Sequence, residues 1–372
     1  MLLKRERVDV VTAIERLAAL QAQWPRAPYV GLWSRLATFE RDDLESALTE
    51  GTVLKATLMR GTLHLASARD YPGYAVAAPE ARRAAWSSTQ ATLLRAMSKS
   101  VPEARRYVAA GGTGIRDAAK FHERLLRHAA TPRSRDDFVE LIVKTERVPR
   151  GVAQFLVWNF IASFGMLVHV PESGMFAANR AGDVVAARVA LTSLRVPPLT
   201  AAAVHLVRRY LAAFGPSSID DVSSWTSMRT PTIRHALETL APELLAFHDE
   251  RGRLLYDLAK APRPSEDTPA PVRFLPKWDS TLLAFTPAER IRILPAAHHR
   301  SVIIKNGDVA QTFLVDGLVA GTWALVAKPK EAVVEMRALT RIGRADKAAL
   351  IEEGERLARF LAPEARAHGA RT

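Results

Sequence analysis

Three short acidic segments, each with the pattern of a helix start, recur along the chain and constrain its fold more than any other feature. They are Arg41-Asp42-Asp43-Leu44, Arg135-Asp136-Asp137-Phe138 and Ile219-Asp220-Asp221-Val222. Asp at a helix start accepts hydrogen bonds from free backbone N–H groups and complements the positive end of the helix dipole. The segments lie 94 and 84 residues apart, which is too far for a solenoid repeat and predicts three small domains in series.

The third unit shows the clearest pattern. A helix is predicted over residues 204–214, a second from Asp220, and a third from Thr230-Pro231, where Pro suits the first helical position. Residues 244–247 and 254–258 then alternate like the two strands of a hairpin. Helices followed by a two-stranded wing are typical of a winged-helix unit, a variant of the helix-turn-helix.

The other two units repeat this order less clearly. In the first, an apolar helical stripe precedes a predicted hairpin over residues 53–66, with its turn at Arg60-Gly61. The second unit has only a weak pattern. We therefore predict an α+β protein with three tandem winged-helix units and a C-terminal β-rich block, and the predicted boundaries are 1–85, 86–195, 196–262 and 263–372.

The C-terminal block follows a proline-rich linker at residues 261–271. Its turn dipeptides are Asn306-Gly307 and Asp316-Gly317, which favour hairpins. A closing helix is predicted over 347–360. The candidate strands are 274–275, 282–285, 301–304, 311–315 and 318–326.

The charge of the chain favours a polyanionic partner. Its 52 Lys and Arg residues exceed its 39 Asp and Glu residues, giving a formal net charge of +13 and a pI near 10.3. Such a surface attracts nucleic acid through counterion release and long-range steering. An Arg-rich composition also follows from a GC-rich genome, so charge alone leaves the partner open.

Several classes of protein are disfavoured by what the sequence lacks. Cysteine is absent, which excludes disulfides, thiol nucleophiles and Cys-bound zinc or iron–sulfur clusters. The start has no apolar run typical of a signal peptide, and the apolar stretch at 157–170 is too short to cross a bilayer, so we expect a cytoplasmic protein. No phosphate-binding glycine motif is present, and neither His122 with His128 nor His298 with His299 has metal-ligand spacing. We expect no nucleotide cofactor, no metal and no membrane partner.

Gln21 breaks the apolar pattern of the first predicted helix. It continues the stripe of Ile14, Leu17 and Ala18, and the helix is expected to end near Trp24-Pro25. Residues two apart on a helix diverge by about 200°, so Gln21 and Gln23 would reach one cavity only where the helix unwinds. The alternative is that both amides satisfy backbone groups at the helix end.

Several segments together resemble a known family. Leu20-Gln21-Ala22-Gln23, the segment from Ala27 to Leu36 and the segment from Met59 to Leu65 are similar to the winged-helix DNA glycosylases typified by AlkZ and YcaQ. Segments 275–279, 298–300, 315–317 and 321–323 resemble the family's C-terminal block, so the match spans nearly the whole chain.

The resemblance implies a monofunctional DNA glycosylase that excises N-alkylated purines from double-stranded DNA, with three winged-helix units around a concave basic channel. It places the catalytic pair on Gln21 and Gln23. Gln at both positions is similar to the self-resistance enzymes of genotoxin producers, which implies a bulky adduct or an interstrand crosslink as substrate. The base is either flipped into a pocket or attacked in the stack.

A further set of residues is predicted to contact DNA. Tyr29 and Trp33 either stack on the ligand or pack in the core, and Arg60 and His64 flank the first wing's turn, where His64 contacts DNA or is structural. Basic and aromatic groups of this kind bind phosphates and stack on bases. The predicted DNA contacts are Tyr29, Trp33, Arg35, Arg60, His64, Lys277, Trp278, His298, His299 and Arg300.

Two other functions compete with this prediction. A non-enzymatic winged-helix regulator would dimerise and bind palindromic half-sites, whereas three units in one chain favour a monomer on DNA. A bifunctional lyase would use one of the eleven lysines, and no motif distinguishes any of them.

Overall fold

A computed structural model describes residues 1–179, 182–304 and 307–372. It shows a mixed α+β protein in which helices and short antiparallel hairpins alternate until residue 258, followed by one larger sheet. No helix among the described residues is both long enough and apolar enough to cross a membrane.

The first helix–hairpin unit contains a three-stranded sheet. Its central strand is the second strand of the hairpin, which pairs with the other hairpin strand and with a short strand that holds Gln21. The predicted hairpin turn at Arg60-Gly61 is confirmed, since a single 3-10 turn at Met59–Gly61 joins the two hairpin strands. The elements are α1 (Val10–Arg16), β1 (Leu20–Gln21), α2 (Ala27–Trp33), α3 (Arg41–Thr49), β2 (Val53–Thr57) and β3 (Leu63–Ser67).

The second and third units repeat this order. In each of these units, the residue two positions before the middle helix forms an isolated bridge to the second strand of the hairpin. Arg133 pairs with Val184, and Ser217 pairs with Tyr256. Four helices connect the first unit to the second, namely α4 (Tyr71–Ala77), α5 (Glu80–Ala84), α6 (Trp86–Ser100) and α7 (Pro102–Ala109). The second unit comprises α8 (Ala118–His128), α9 (Arg135–Glu146), α10 (Arg150–Phe164), β4 (Leu167–His169) and β5 (Val184–Ala186). After α11 (Ala187–Ala190), the third comprises α12 (Leu199–Phe214), α13 (Ile219–Thr226), α14 (Thr230–Leu240), β6 (Leu244–His248) and β7 (Leu254–Leu258).

The three acidic segments all begin helices, as predicted. In each pair of aspartates, the second side chain accepts a hydrogen bond from the backbone N–H three residues earlier. The prediction that these three helices occupy the same position in three repeated units was wrong, however. Helix α3 directly precedes its hairpin, whereas α9 and α13 are the middle helices of their units. Paired aspartates indicate that a helix begins, and they carry no information about its place in the fold.

The C-terminal block is a five-stranded sheet covered by one long helix. The strand predictions at 274–275, 311–315 and 318–326 are confirmed, but 282–285 and 301–304 were wrong because each of these segments begins inside a short helix and forms no strand. Two further strands pair with the sheet beyond the predicted ones, and Asn306 lies outside the described residues. The elements are β8 (Arg273–Leu275), α15 (Ser280–Leu283), α16 (His299–Val302), β9 (Thr312–Val315), β10 (Leu318–Lys328), β11 (Glu331–Ala338), α17 (Arg344–Leu361) and β12 (Ala367–Arg371), with sheet order β12-β11-β10-β9-β8.

The sheet of the first unit lies between two hydrophobic cores. Leu54, Ala56 and Ala66 pack in a core that includes the third unit. Leu20 and Leu65 pack in a second core that continues into the C-terminal sheet. Because side chains alternate across a strand, β3 is packed on both faces, and its pairing with β1 holds the backbone that carries Gln21.

Candidate active site

Gln21 lies on a strand, and the predicted helical placement was wrong. Helix α1 ends at Arg16, and Ala18 adopts a left-handed conformation with φ of 60°. That conformation turns the chain out of the helix, so that Gln21 pairs with His64 across the sheet. Trp24 and Pro25 lie in the connection ahead of α2 and do not end a helix.

The side chain of Gln21 is buried and held by Arg60. An Nη atom of Arg60 donates a hydrogen bond to Gln21 Oε1 at 2.8 Å, and the other Nη donates to the carbonyl oxygen of Trp225 at 3.2 Å. The backbone of Arg60 is left-handed, with φ of 55°. Burial and the nearby charge of Arg290 lower the pKa of Arg60 to about 10, so the guanidinium remains charged at neutral pH.

The side chains of His64 and Trp225 lie close together beside the Arg60–Gln21 hydrogen bond. Both side chains are fully buried, and their ring centroids lie 6.5 Å apart in an edge-on arrangement. His64 Nδ1 lies 3.0 Å from the carbonyl oxygen of Thr62, while His64 Nε2 and Trp225 Nε1 have no hydrogen-bond partner among the described residues. Burial and the charge of Arg60 lower the pKa of His64 to about 3, so His64 is neutral at physiological pH.

Gln23 has different surroundings. Its side chain is exposed, and its Oε1 accepts a hydrogen bond from the backbone N–H of Leu63 at 3.3 Å. Gln23 lines a cavity of about 240 Å³, whereas Gln21 does not. The other lining residues are Thr57, Gly61, Leu63, Trp158 and His169. The cavity therefore lies between the hairpin of the first unit and elements of the second.

Two buried basic groups lie near this cavity, namely His169 on β4 of the second unit and Lys55 on β2 of the first. The pKa of His169 is lowered to about 4 by burial and by the charge of Lys55, so its imidazole is neutral. Lys55 is itself buried and donates to the carbonyl oxygen of Ser173, and burial lowers its pKa to about 8. Within the three described ranges, no group of three His, Asp or Glu side chains has the arrangement of a metal site.

Comparison with known proteins identifies the family. The family model described as "DNA glycosylase AlkZ-like" matches residues 14–360. The chain belongs to the AlkZ-like DNA glycosylase family. The resemblance noted in the sequence is therefore confirmed over most of the chain.

One curated relative and one solved structure are similar along almost the full length. An interstrand DNA cross-link repair glycosylase from Streptomyces sahachiroi is 25% identical over 333 residues, which cover 87% of this chain and 84% of the relative. The structure of Streptomyces sahachiroi DNA glycosylase AlkZ superposes with a TM-score of 0.73 at 21% identity, over 100% of this chain and 95% of that one. The second comparison establishes that the two proteins share a fold.

Four of the predicted DNA contacts of this AlkZ-like protein lie in its interior, and for His64, whose side chain is fully buried, the structure favours the structural alternative. Tyr29 is fully buried and donates to the carbonyl oxygen of Gly174 at 3.1 Å, and Trp33 stacks on Phe360. Arg35 forms a buried bidentate pair with Asp279, at 2.8 and 3.0 Å. For Tyr29 and Trp33 the structure favours the core alternative, and Arg35 was wrong as a DNA contact because its guanidinium is enclosed.

The predicted contacts of the C-terminal block lie nearer the surface. Lys277 Nζ pairs with Asp308 at 3.0 Å, and Trp278 Nε1 donates to the carbonyl oxygen of Gly307 at 2.9 Å. His298 ends a short 3-10 helix, and His299 is the first residue of α16. Arg300 is exposed.

Sequence reasoning missed the residues that complete the site from other units. Trp158, His169 and Trp225 lie more than 90 residues beyond Gly61 in the chain. No short spacing relates them to Gln21, because tertiary packing brings them together.

Proposed function

We propose that this AlkZ-like protein is a monofunctional DNA glycosylase that hydrolyses the N-glycosidic bond of N7-alkylated purines, with Gln21 and Gln23 as its catalytic pair. The observation that carries the proposal is the geometry of these two amides. Gln21 is fixed by the Arg60 guanidinium at 2.8 Å, and Gln23 stands exposed at a cavity two residues later. Such fixed dipoles are what electrostatic preorganisation requires.

The proposed reaction requires little acid catalysis. An N7-alkylated purine carries a positive charge, so the electron pair of the C1′–N9 bond leaves with the base and makes it neutral. A water oxygen forms the new bond to C1′ and releases its proton to solvent. The protein therefore has two tasks, which are to position the water and to stabilise the positive charge that develops on the sugar.

Neutral amides suit both tasks. A carboxamide oxygen has two acceptor sites. Arg60 occupies one site on Gln21, and the backbone N–H of Leu63 occupies one on Gln23. We propose that the remaining site on each oxygen interacts with the attacking water or with the developing oxocarbenium ion.

The architecture that supports this chemistry is three tandem winged-helix units and a C-terminal block, with boundaries at 1–85, 86–195, 196–262 and 263–372. We assign α3, α10 and α14 to the recognition-helix position, because each directly precedes its hairpin. The net charge of +13 favours a basic concave channel that holds duplex DNA. We propose that a single chain is sufficient to hold the duplex.

For the substrate we propose a bulky purine adduct or an interstrand crosslink, and a role in self-resistance to a genotoxic natural product. The pair of glutamines supports this assignment, and so does the curated relative, whose name specifies interstrand cross-link repair. Family membership favours an enzyme over a non-enzymatic regulator.

A base-release assay tests the proposal. Duplexes that carry 7-methylguanine or a nitrogen-mustard crosslink are incubated with excess protein, and both the free base and alkali-dependent strand cleavage are measured. We expect wild-type protein to release the base, and Q21A and Q23A to do so about 100-fold more slowly, in line with the loss of one fixed dipole. T92A, at an exposed threonine on α6 outside the proposed recognition helices, is the control and should match wild type.

Three outcomes would contradict the proposal. Undiminished release by both variants with normal DNA binding would remove the glutamines from catalysis. Binding to a specific operator without base release would indicate a regulator. Strand cleavage without alkali, with a borohydride-trapped covalent complex, would indicate a lyase.

A further inference from the structure

The cavity beside Gln23 has the size of a nucleobase site. Its volume is about 240 Å³, and an engineered protein cavity of about 150 Å³ already binds benzene. A bicyclic purine is therefore not excluded by size. Because the walls come from two units, the first unit's hairpin and α10 with β4 of the second, the cavity is a product of the tertiary fold.

The lining chemistry is that of a base-recognition site. Trp158 is half-buried and presents an indole ring, which stacks on any base. Gln23 and Thr57 contribute an amide and a hydroxyl group, the donors and acceptors that base edges require. The lining groups carry no formal charge when His169 is neutral.

This set of groups favours a cationic base. An aromatic face attracts a cation, and the neutral imidazole of His169 does not repel one. Two nearby positive groups bond to backbone carbonyl oxygens and are not part of the lining: Lys55 donates to Ser173, and Arg135 donates to Gln154 at 3.1 Å. The guanidinium of Arg135 lies 5.9 Å from the Trp158 ring and is exposed, where it can reach a backbone phosphate.

An exposed aromatic side chain stands one turn away. Phe155 is 54% exposed and precedes Trp158 by three residues on α10, a spacing that places both on one helix face. Among the described residues it is the one exposed phenylalanine, tyrosine or tryptophan. Proteins that unstack DNA insert apolar side chains of this kind between bases.

We infer that this cavity binds the alkylated purine after it leaves the base stack, with Trp158 stacking on the base and Phe155 filling the space it vacates. The inference rests on the proposed glycosylase function and specifies how its substrate is recognised. It assigns α10 of the second unit to lesion recognition and β1 of the first unit to bond cleavage. Trp158 is thereby a specificity residue, because an uncharged base gains less from the same aromatic face.

Extrusion is measured with a duplex in which 2-aminopurine lies next to a 2′-fluoro-7-methylguanosine, whose glycosidic bond resists cleavage. The 2-aminopurine fluorescence rises when its neighbour leaves the stack. We expect wild type and W158F to raise the fluorescence, and W158L and F155A to lose most of this rise. The control is F247L, which changes a half-buried phenylalanine of the third unit and should behave as wild type.

Excision is measured in parallel under single-turnover conditions with 7-methylguanine. We expect W158L to be slowed about 10- to 100-fold, the range that loss of one base-stacking contact corresponds to, and W158F to retain most of the rate. Binding of undamaged duplex should be unchanged in all variants. W158F also separates stacking from folding, because it keeps an aromatic ring in the same place.

The outcomes distinguish this inference from the proposed function. Excision by wild type without a fluorescence rise would show attack within the stack and overturn the pocket while leaving the glycosylase intact. Excision by W158L at the wild-type rate would do the same. Absence of excision by wild type on every alkylated duplex would instead overturn the proposed function, and the inference with it.

Discussion

The guanidinium of Arg60 donates to the amide oxygen of Gln21 at 2.8 Å and at the same time to the carbonyl oxygen of Trp225 at 3.2 Å. One side chain thus orients the proposed catalytic amide and connects the first helix–hairpin unit to the third. A planar guanidinium has donors on separate nitrogens in a fixed fork, and a lysine has a single nitrogen. Arg60 is therefore a positioning residue in this proposal.

Arg60→Lys should slow single-turnover excision about tenfold while leaving the dissociation constant for the duplex and the fold unchanged. The charge remains, but one ammonium group cannot reproduce the two fixed contacts. Pre-steady-state base release at saturating protein, together with thermal unfolding, measures both effects. R95K, at an exposed arginine on α6, is the matched control. A wild-type excision rate in R60K would remove Arg60 from the positioning of Gln21.

The local placement of Gln21 was not predictable from periodicity. The stripe of Ile14, Leu17 and Ala18 holds as far as helix α1 extends, and the left-handed turn at Ala18 then ends it. Alanine rarely adopts that conformation and is a strong helix former, so no local signal marks the turn. Pairing with β3, more than 40 residues later, stabilises the strand instead.

Arg35→Met should lower the free energy of unfolding by about 3–5 kcal/mol, because it leaves the carboxylate of Asp279 buried without its charge partner. Both side chains are only 2% exposed. Urea denaturation of the single variant and of R35M/D279L measures the effect, and the double variant should recover much of the loss. K120M, which breaks the exposed pair with Asp117, should change stability by less than about 1 kcal/mol. Equal stability of R35M and wild type would show that the buried pair is not required.

Arg35 also shows where sequence reasoning reaches its limit. The helix starts, the hairpins of the first and third units and the family were predictable, because capping residues, alternation and motifs are local. The partner of Arg35 lies 244 residues away in the C-terminal block. A basic residue in a family motif therefore indicated DNA contact, whereas its role is to hold the first unit against the C-terminal sheet.

The stability of the protein should fall as the pH drops from 8 to 5, and His64 should contribute about 2 kcal/mol of that fall. Its pKa is lowered from 6.5 to about 3 in the folded protein. The unfolded chain therefore binds the extra proton between these values, and the stabilisation present above pH 6.5 is lost as the pH decreases toward 3. Urea unfolding of wild type and H64Q at pH 8 and pH 5 measures the difference.

Two comparisons make that measurement specific. H235Q, at an exposed histidine on α14, should keep the wild-type pH dependence. His169 should contribute a similar amount, since its pKa is lowered to about 4, so H64Q should reduce the dependence and not abolish it. An unchanged pH dependence in H64Q would show that His64 is accessible to protons in the folded state.

Arg300→Ala should weaken binding to all duplexes alike and reduce the slope of log K against log salt concentration by about 0.9. Each phosphate contact releases one condensed counterion from duplex DNA, and this release sets the slope. Arg300 is exposed and follows His298 and His299 in the C-terminal block. Fluorescence anisotropy with an undamaged duplex over a range of salt concentrations gives the slope.

The control is R359A, at an exposed arginine on α17, which should leave the slope unchanged. Equal slopes for wild type and R300A would place the DNA-binding surface elsewhere and limit the C-terminal block to supporting the first unit.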